Sequence, residues 1–220
     1  MLSQNVIVID TETTNSIDDP FVYDIGFAVF APNGNMLATY SFVVADIFLD
    51  DELMSSAYFI DKMPSYWEDI KSGKRTLKRF KNIKKIFREV CRQYDVHIVI
   101  AHNARFDYHA LNLTSRFLTN SKYRFFFPYG MKIWDSLKMS RKVFGQDDNY
   151  IDFCHKNEYL TTFGKLRFTA EILYRYLIND NNFIEAHTAL QDVLIEKDIF
   201  FECIKRNPTI NGALWEESIY

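Results

Sequence analysis

Short apolar runs dominate the first part of the chain. Residues 5–10 (NVIVID) are β-branched and apolar and end in a carboxylate, which predicts a buried strand. Two further strand-like runs follow at 22–31 and 36–45, and Pro32-Asn33-Gly34-Asn35 between them predicts a hairpin. Residues 46–70 are mixed and predict short helices around Met63-Pro64. The period then changes. Leu77, Phe80, Ile83, Phe87, Val90 and Tyr94 recur at spacings of three and four, which predicts an amphipathic helix over 74–94. Residues 97–101 (HIVIA) predict a buried strand, 106–117 a helix and 132–134 a strand, after which Asp135 would cap a helix running to about Phe144. Residues 146–164 read as loop, and 166–177 and 188–205 as helices. Hairpin-linked strands followed by strands alternating with helices predict one α/β domain over 1–220, a mixed central sheet with helices on both faces.

Composition narrows the class. Of 220 residues, 48% are hydrophobic and 16% aromatic, which excludes an intrinsically disordered chain. The formal net charge of -3 excludes a polycation, so contact with nucleic acid would need a local patch or a metal. Cys91, Cys154 and Cys203 lie far apart, which argues against disulfides and zinc clusters and for buried thiols in a reducing compartment. The N-terminus lacks a basic region, and the longest near-apolar stretch, residues 25–31, is far short of a membrane span. A cytoplasmic location with no membrane partner is the expectation.

Asp10 and Glu12 stand two apart at the end of the first strand, so their side chains share a side. Two such hard oxygen donors suit Mg²⁺ or Mn²⁺. The spacing alone is cheap, because about one Asp-x-Glu is expected by chance at this composition, and Asp50–Glu52 is a second. Strand context separates the two. Asp107 follows the strand at 97–101, near the start of a helix, where a lone Asp is usually a first-turn residue. Asp192 lies on the last helix, five residues after His187. On one helix the two would sit about 140° apart. The useful arrangement places His187 on the first turn or the preceding loop, where a neutral imidazole can act as general base. Four carboxylates from three elements cannot share a dry site without cations, whereas two divalent ions would neutralise them and make a phosphodiester-cleaving site.

The segments IVIDTETTN, IVIAHNARFDYHALN and AHTALQDV, with Trp134-Asp135-Ser136-Leu137, resemble the three motifs of the DEDDh, or DnaQ-like, 3′→5′ exonuclease family. The resemblance spans about residues 5–203. It implies an RNase H-like fold, Asp10, Glu12, Asp107 and Asp192 as ligands of two Mg²⁺ ions (Mn²⁺ substituting), and His187 as general base. The sister type would carry Tyr at 188, where this chain has Thr188. The implied activity is removal of nucleoside monophosphates from the 3′ end of single-stranded DNA, as in proofreading or DNA processing, with a DNA polymerase as a partner. RNA trimming, oligoribonuclease activity and a non-catalytic binding module on the same fold are the alternatives. Thr11 and Thr13, flanking Glu12, and His102 and Asn103 fall where the family contacts substrate, although strand-forming and turn-stabilising roles suit them equally well. Phe106 reads as core, and His97, His109 and His155 as ordinary histidines.

No motif falls on 46–73 or 146–165, which leaves those segments for substrate choice. Residues 71–92 hold ten Lys or Arg against one acid, Glu89. Lys74, Lys78, Lys81, Lys85, Arg88 and Arg92 would form a stripe nearly opposite the apolar face. A solvated outer face fits this stripe better than a phosphate-contacting surface, because it points away from the core.

Overall fold

The computed structural model describes residues 2–15, 19–120 and 124–210. Six strands form one sheet in the order β4-β3-β2-β1-β5-β6. Strand β1 (Val6–Thr13) occupies the middle, antiparallel to β2 (Val22–Phe30), which is antiparallel in turn to β3 (Met36–Val44). The turn between β2 and β3 closes on Gly34, at φ +85, with its N–H donating to Ala31 O. On the other side of β1, strands β5 (Ile98–Ala101) and β6 (Lys132–Asp135) add in parallel.

Alternation along β1 sorts the two faces. Ile7 and Ile9 point into one apolar cluster, and Val6 and Val8 into the other. Helices α4 (Phe80–Gln93) and α5 (Ala104–Phe117) cover the Ile7 face. Helices α6 (Ser136–Phe144), α7 (Asp148–Lys156), α8 (Ala170–Ile178) and α9 (Ala189–Arg206) cover the Val6 face. Three short helices, α1 (Ala45–Phe48), α2 (Asp51–Met54) and α3 (Met63–Ser72), follow β3 in the chain, with a 3₁₀ turn at Ile60–Lys62 ahead of Pro64, and Tyr66 of α3 reaches Asp24 on β2.

Three expectations are corrected. The helix expected over 74–94 begins at Phe80, because Thr76–Lys78 forms β4, paired in parallel with Phe42–Val44. Leu77 stands three residues before Phe80 and so imitates the helical period, but the open edge of β3 supplies hydrogen-bond partners that a helix would forgo. Lys74 and Lys78 therefore leave the basic stripe. The loop expected over 146–164 contains α7, whose N-cap Asp147 accepts from Asn149 N and which buries Tyr150 and Cys154, four apart. Finally, the helix expected from 166 begins at Ala170, capped by Thr169, because Leu166 instead bridges Leu160 in a small hairpin. Cys91, Cys154 and Cys203 are buried free thiols. No helix among the described residues is long and apolar enough to cross a membrane.

Gly26 on β2 sets how close α9 can come. A Cβ there would lie 2.2 Å from Leu190 N and 2.3 Å from Ala189 C, both backbone atoms. Only glycine lets the first turn of α9 rest directly on the sheet. That contact carries Asp192, three residues into α9, toward the end of β1.

Candidate active site

β1 continues as strand through Glu12 to Thr13, so Asp10 and Glu12 project from its C-terminal end on the same side as Val8. Asp192 reaches the same point from α9. Oxygens of Asp10, Glu12 and Asp192 all lie within 4.8 Å of one another. Asp107, on the first turn of α5, approaches from the other face of the sheet. It stands outside that trio and accepts a 2.8 Å hydrogen bond from Thr11 Oγ1. All four carboxylates line one cleft of about 570 Å³.

The electrostatics of this cluster are those of acids short of cations. Among the described residues, no Lys or Arg forms a salt bridge with any of the four. Burial, reinforced by Asp192 and Asp24, pushes Glu12 up to about 9. Burial with Glu185 nearby takes Asp192 to about 8, and burial takes Asp107 to about 7 even though the Thr11 hydrogen bond pulls it back. Asp10 is raised as well, first by burial and then by Glu196, Asp107 and Glu12. Asp192 Oδ1 is buried with no hydrogen-bond partner. An all-oxygen donor set, an orphaned carboxylate oxygen and negative charge that Lys62 only partly offsets fit a hard divalent cation such as Mg²⁺ or Mn²⁺.

These shifts fix the sign of a pH effect. Each raised pKa adds stability that is complete below the ordinary carboxylate range near 4 and is lost as pH rises through about 7, 8 and 9 for Asp107, Asp192 and Glu12. In EDTA, Tm should fall steadily from pH 5 to pH 9, by about 2–4 °C for each kcal/mol lost. Saturating Mg²⁺ should remove most of that fall if the folded carboxylates hold it and the unfolded chain does not. A Tm equally flat with pH in EDTA and in Mg²⁺ would contradict the clustered-charge picture.

His187 sits on the loop just before α9, with φ +48, a left-handed conformation. Three groups hold it there. Phe59 stacks on its ring (centroids 4.6 Å, planes 14° apart), Lys62 Nζ donates to Ala186 O at 2.6 Å, and Glu185 Oε2 lies 3.8 Å from Nδ1. Burial and then the Lys62 charge lower the pKa of His187, so the imidazole is neutral near pH 7 and can accept a proton. Lys62 also lies over the Phe59 ring at 4.3 Å. Residues 59–62 belong to a segment where sequence patterns gave no function, and nothing local to them signals this contact with a loop 125 positions away.

The remaining site residues separate. Thr11 and Asn103 line the cleft, and Asn103 turns into α5 with φ +69. His102 lines it too, but both ring nitrogens are engaged, Nδ1 with Ser136 Oγ at 3.0 Å and Nε2 with Phe168 O at 2.7 Å. Thr13 donates to Asn15 O and does not line the cleft. Phe106, expected in the core, lines the cleft half-exposed.

Three acids in or beside the site escaped sequence reasoning. Glu196 is buried one helical turn after Asp192, accepts from His102 N, and is raised well above its usual pKa by burial, Asp107 and Asp192. Its i, i+4 spacing from Asp192 was the available signal. Glu185 is raised to about 7 by burial and by Glu171. Asp24, opposite Glu12 on β2, is fully buried; its Oδ2 accepts from Tyr66 O–H, Arg75 Nη1 and Ala189 N at 2.7, 2.6 and 3.1 Å. A single carboxylate in the otherwise apolar run VYDIGFAVF was its mark.

No family model matches the sequence, and no curated protein does. Solved structures do match the fold. E. coli exonuclease I in complex with a dA16 oligonucleotide superposes with a TM-score of 0.55 at 15% identity, covering 94% of this chain and 42% of that one. A product-bound structure of exonuclease I gives 0.57 at 14% identity, with 94% and 45% covered. A moderately thermophilic exonuclease I from Methylocaldum szegediense gives 0.53 at 15% identity, with 94% and 41% covered. The fold is RNase H-like. This chain spans about 42% of the length of these neighbours, and at such identities the likeness speaks for the fold.

Proposed function

We propose that this protein is a metal-dependent 3′→5′ exonuclease that removes nucleoside monophosphates from single-stranded DNA. The observation that carries the reading is the meeting of Asp10, Glu12 and Asp192 oxygens within 4.8 Å, one of them orphaned, in a cleft shared with Asp107 and His187. Asp10, Glu12 and Asp192 would hold Mg²⁺ or Mn²⁺, with Asp107 beside them, its carboxylate oriented by Thr11. Two such ions, when bound, supply positive charge for the phosphate oxygens and the leaving 3′-oxygen. His187 takes the proton of the attacking water, a role its neutral imidazole and its partly exposed position allow. Phe59, Lys62 and Glu185 hold that ring in place. The preference for single-stranded DNA draws support from the neighbours bound to single-stranded oligonucleotides.

Linear single-stranded DNA in Mg²⁺ should be shortened from its 3′ end with release of mononucleotides, while circular single-stranded DNA stays intact. Cutting of the circle at the rate of the linear strand would show an endonuclease instead. His187→Ala should lower kcat by about 10²–10⁴ and flatten the acidic limb of the rate profile. Unchanged rate and pH profile in that variant would remove His187 from the chemistry.

A further inference from the structure

The cleft is electrically lopsided. Asp10, Glu12, Asp107, Glu185, Asp192 and Glu196 line it, and so do Arg141 and Arg167. On the Arg141 side the cleft adjoins a groove of about 750 Å³; Arg141, Thr161, Leu166 and Phe168 line both, and none of the six acids lines the groove. Lys165 joins the groove wall, and none of the groove's lining residues is acidic. Arg141 and Lys165 are exposed, and among the described residues neither forms an ion pair, so both charges face solvent.

The wall between cleft and groove is the hairpin at 160–166. Its turn is tied across by Thr161 N to Lys165 O at 2.7 Å and Gly164 N to Thr161 O at 2.9 Å, with Gly164 at φ +70. On this braced turn stands Phe163, 88% exposed. Phe163 itself lies outside the groove lining, but it shares its turn with Thr161, Gly164 and Lys165, which do line it. A solvent-facing aromatic on a turn that also presents a cation suits single-strand binding, in which a ring stacks on a base while cations follow the phosphates.

We propose that this groove carries the single strand on the 5′ side of the reacting 3′ end, with Phe163 as a base-stacking platform and Arg141, Lys165 and Arg167 as phosphate contacts. The proposal deepens the exonuclease reading and rests on it. With cations held at the carboxylates only the terminal phosphate is neutralised there, and the acid-free, cationic groove is the favourable course for the phosphates that follow. Leu166 and Phe168 would cover the apolar faces of the bases as the strand passes. Residues 146–165, which match no motif, would then set how much single strand the enzyme grips.

The test measures binding of 5′-fluorescein dT3 and dT12 by anisotropy in Ca²⁺, over a range of salt. Wild type should bind dT12 much more tightly than dT3. Phe163→Ala should weaken dT12 binding about tenfold. The double variant Arg141→Gln/Lys165→Gln should reduce the salt slope for dT12 by about 1.4, that is about 0.7 for each lost phosphate contact. Combining all three substitutions should collapse the length dependence, so that dT12 binds little better than dT3. Wild-type affinity and salt slope for dT12 in both variants would overturn the proposal, as would wild type failing to prefer dT12. Nucleotide release in Mg²⁺, measured in parallel, separates the two readings. Release by wild type with variants that bind normally defeats the groove alone. Loss of dT12 binding in the variants of a wild type that releases nothing defeats hydrolysis alone.

Discussion

Asp192→Asn should lower nucleotide release from a 3′-labelled single strand by several orders of magnitude, with the folded protein intact. The substitution keeps the side-chain volume and removes one carboxylate from the trio in which Asp192 oxygens lie within 4.8 Å of those of Asp10 and Glu12. Divalent cations held by these carboxylates would lose both affinity and placement with that charge gone. Stability should move the other way. Asp192 is raised to about 8 by burial and by Glu185, so in EDTA above pH 8 the wild-type carboxylate repels its neighbours and the amide does not. Tm of Asp192→Asn in EDTA should therefore equal or exceed that of wild type, while the stabilisation by Mg²⁺ shrinks. Near-wild-type release by the purified variant would sink the assignment of this cluster as the active site.

The second large effect concerns Asp24, which takes no part in the proposed chemistry. Asp24→Ala should cost about 3–5 kcal/mol, the usual range for removing one partner of a buried ion pair. The Arg75 guanidinium, 7% exposed, would lose its 2.6 Å contact and keep Asp69, at 3.1 Å, and the face of the Tyr66 ring. Tyr66 O–H and Ala189 N would lose their acceptor in the same step. Because Asp69 still holds Arg75, the lower end of the range applies, and Tm should drop by roughly 10 °C. Ala189 N opens α9, so the loss also loosens the helix that carries Asp192 and the loop that carries His187. Activity should fall at temperatures where the variant is still folded. A Tm within about 2 °C of wild type would mean that Asp24 does not tie these elements together.

The features whose cause is local can be read from neighbouring residues. The run VIVID can bury both faces of a strand, and the alternation at its end puts Asp10 and Glu12 on one side. Asp135 signals the start of α6 through its own side chain, which accepts from Leu137 N and Lys138 N. The apolar period from Phe80 to Val90 determines α4. The motif residues could be named because their spacing within each segment is a property of one strand or one turn.

Other features depend on partners distant in the chain. Thr76–Lys78 is a strand because β3 has an open edge, which nothing within those three residues announces. Glu196 joins the acidic cluster, and Phe106 leaves the core for the cleft, because of what packs against them. Asp107 stands apart from the closest trio, and Thr11, 96 positions earlier, donates to one of its oxygens. Phe59 and Lys62 brace His187 across more than a hundred residues, and Gly26 admits α9 only because two backbones meet there. Strand edges, buried charges and close backbone approaches depend on partners brought together by folding, whereas periodicity, capping and turn chemistry depend on neighbours in the chain.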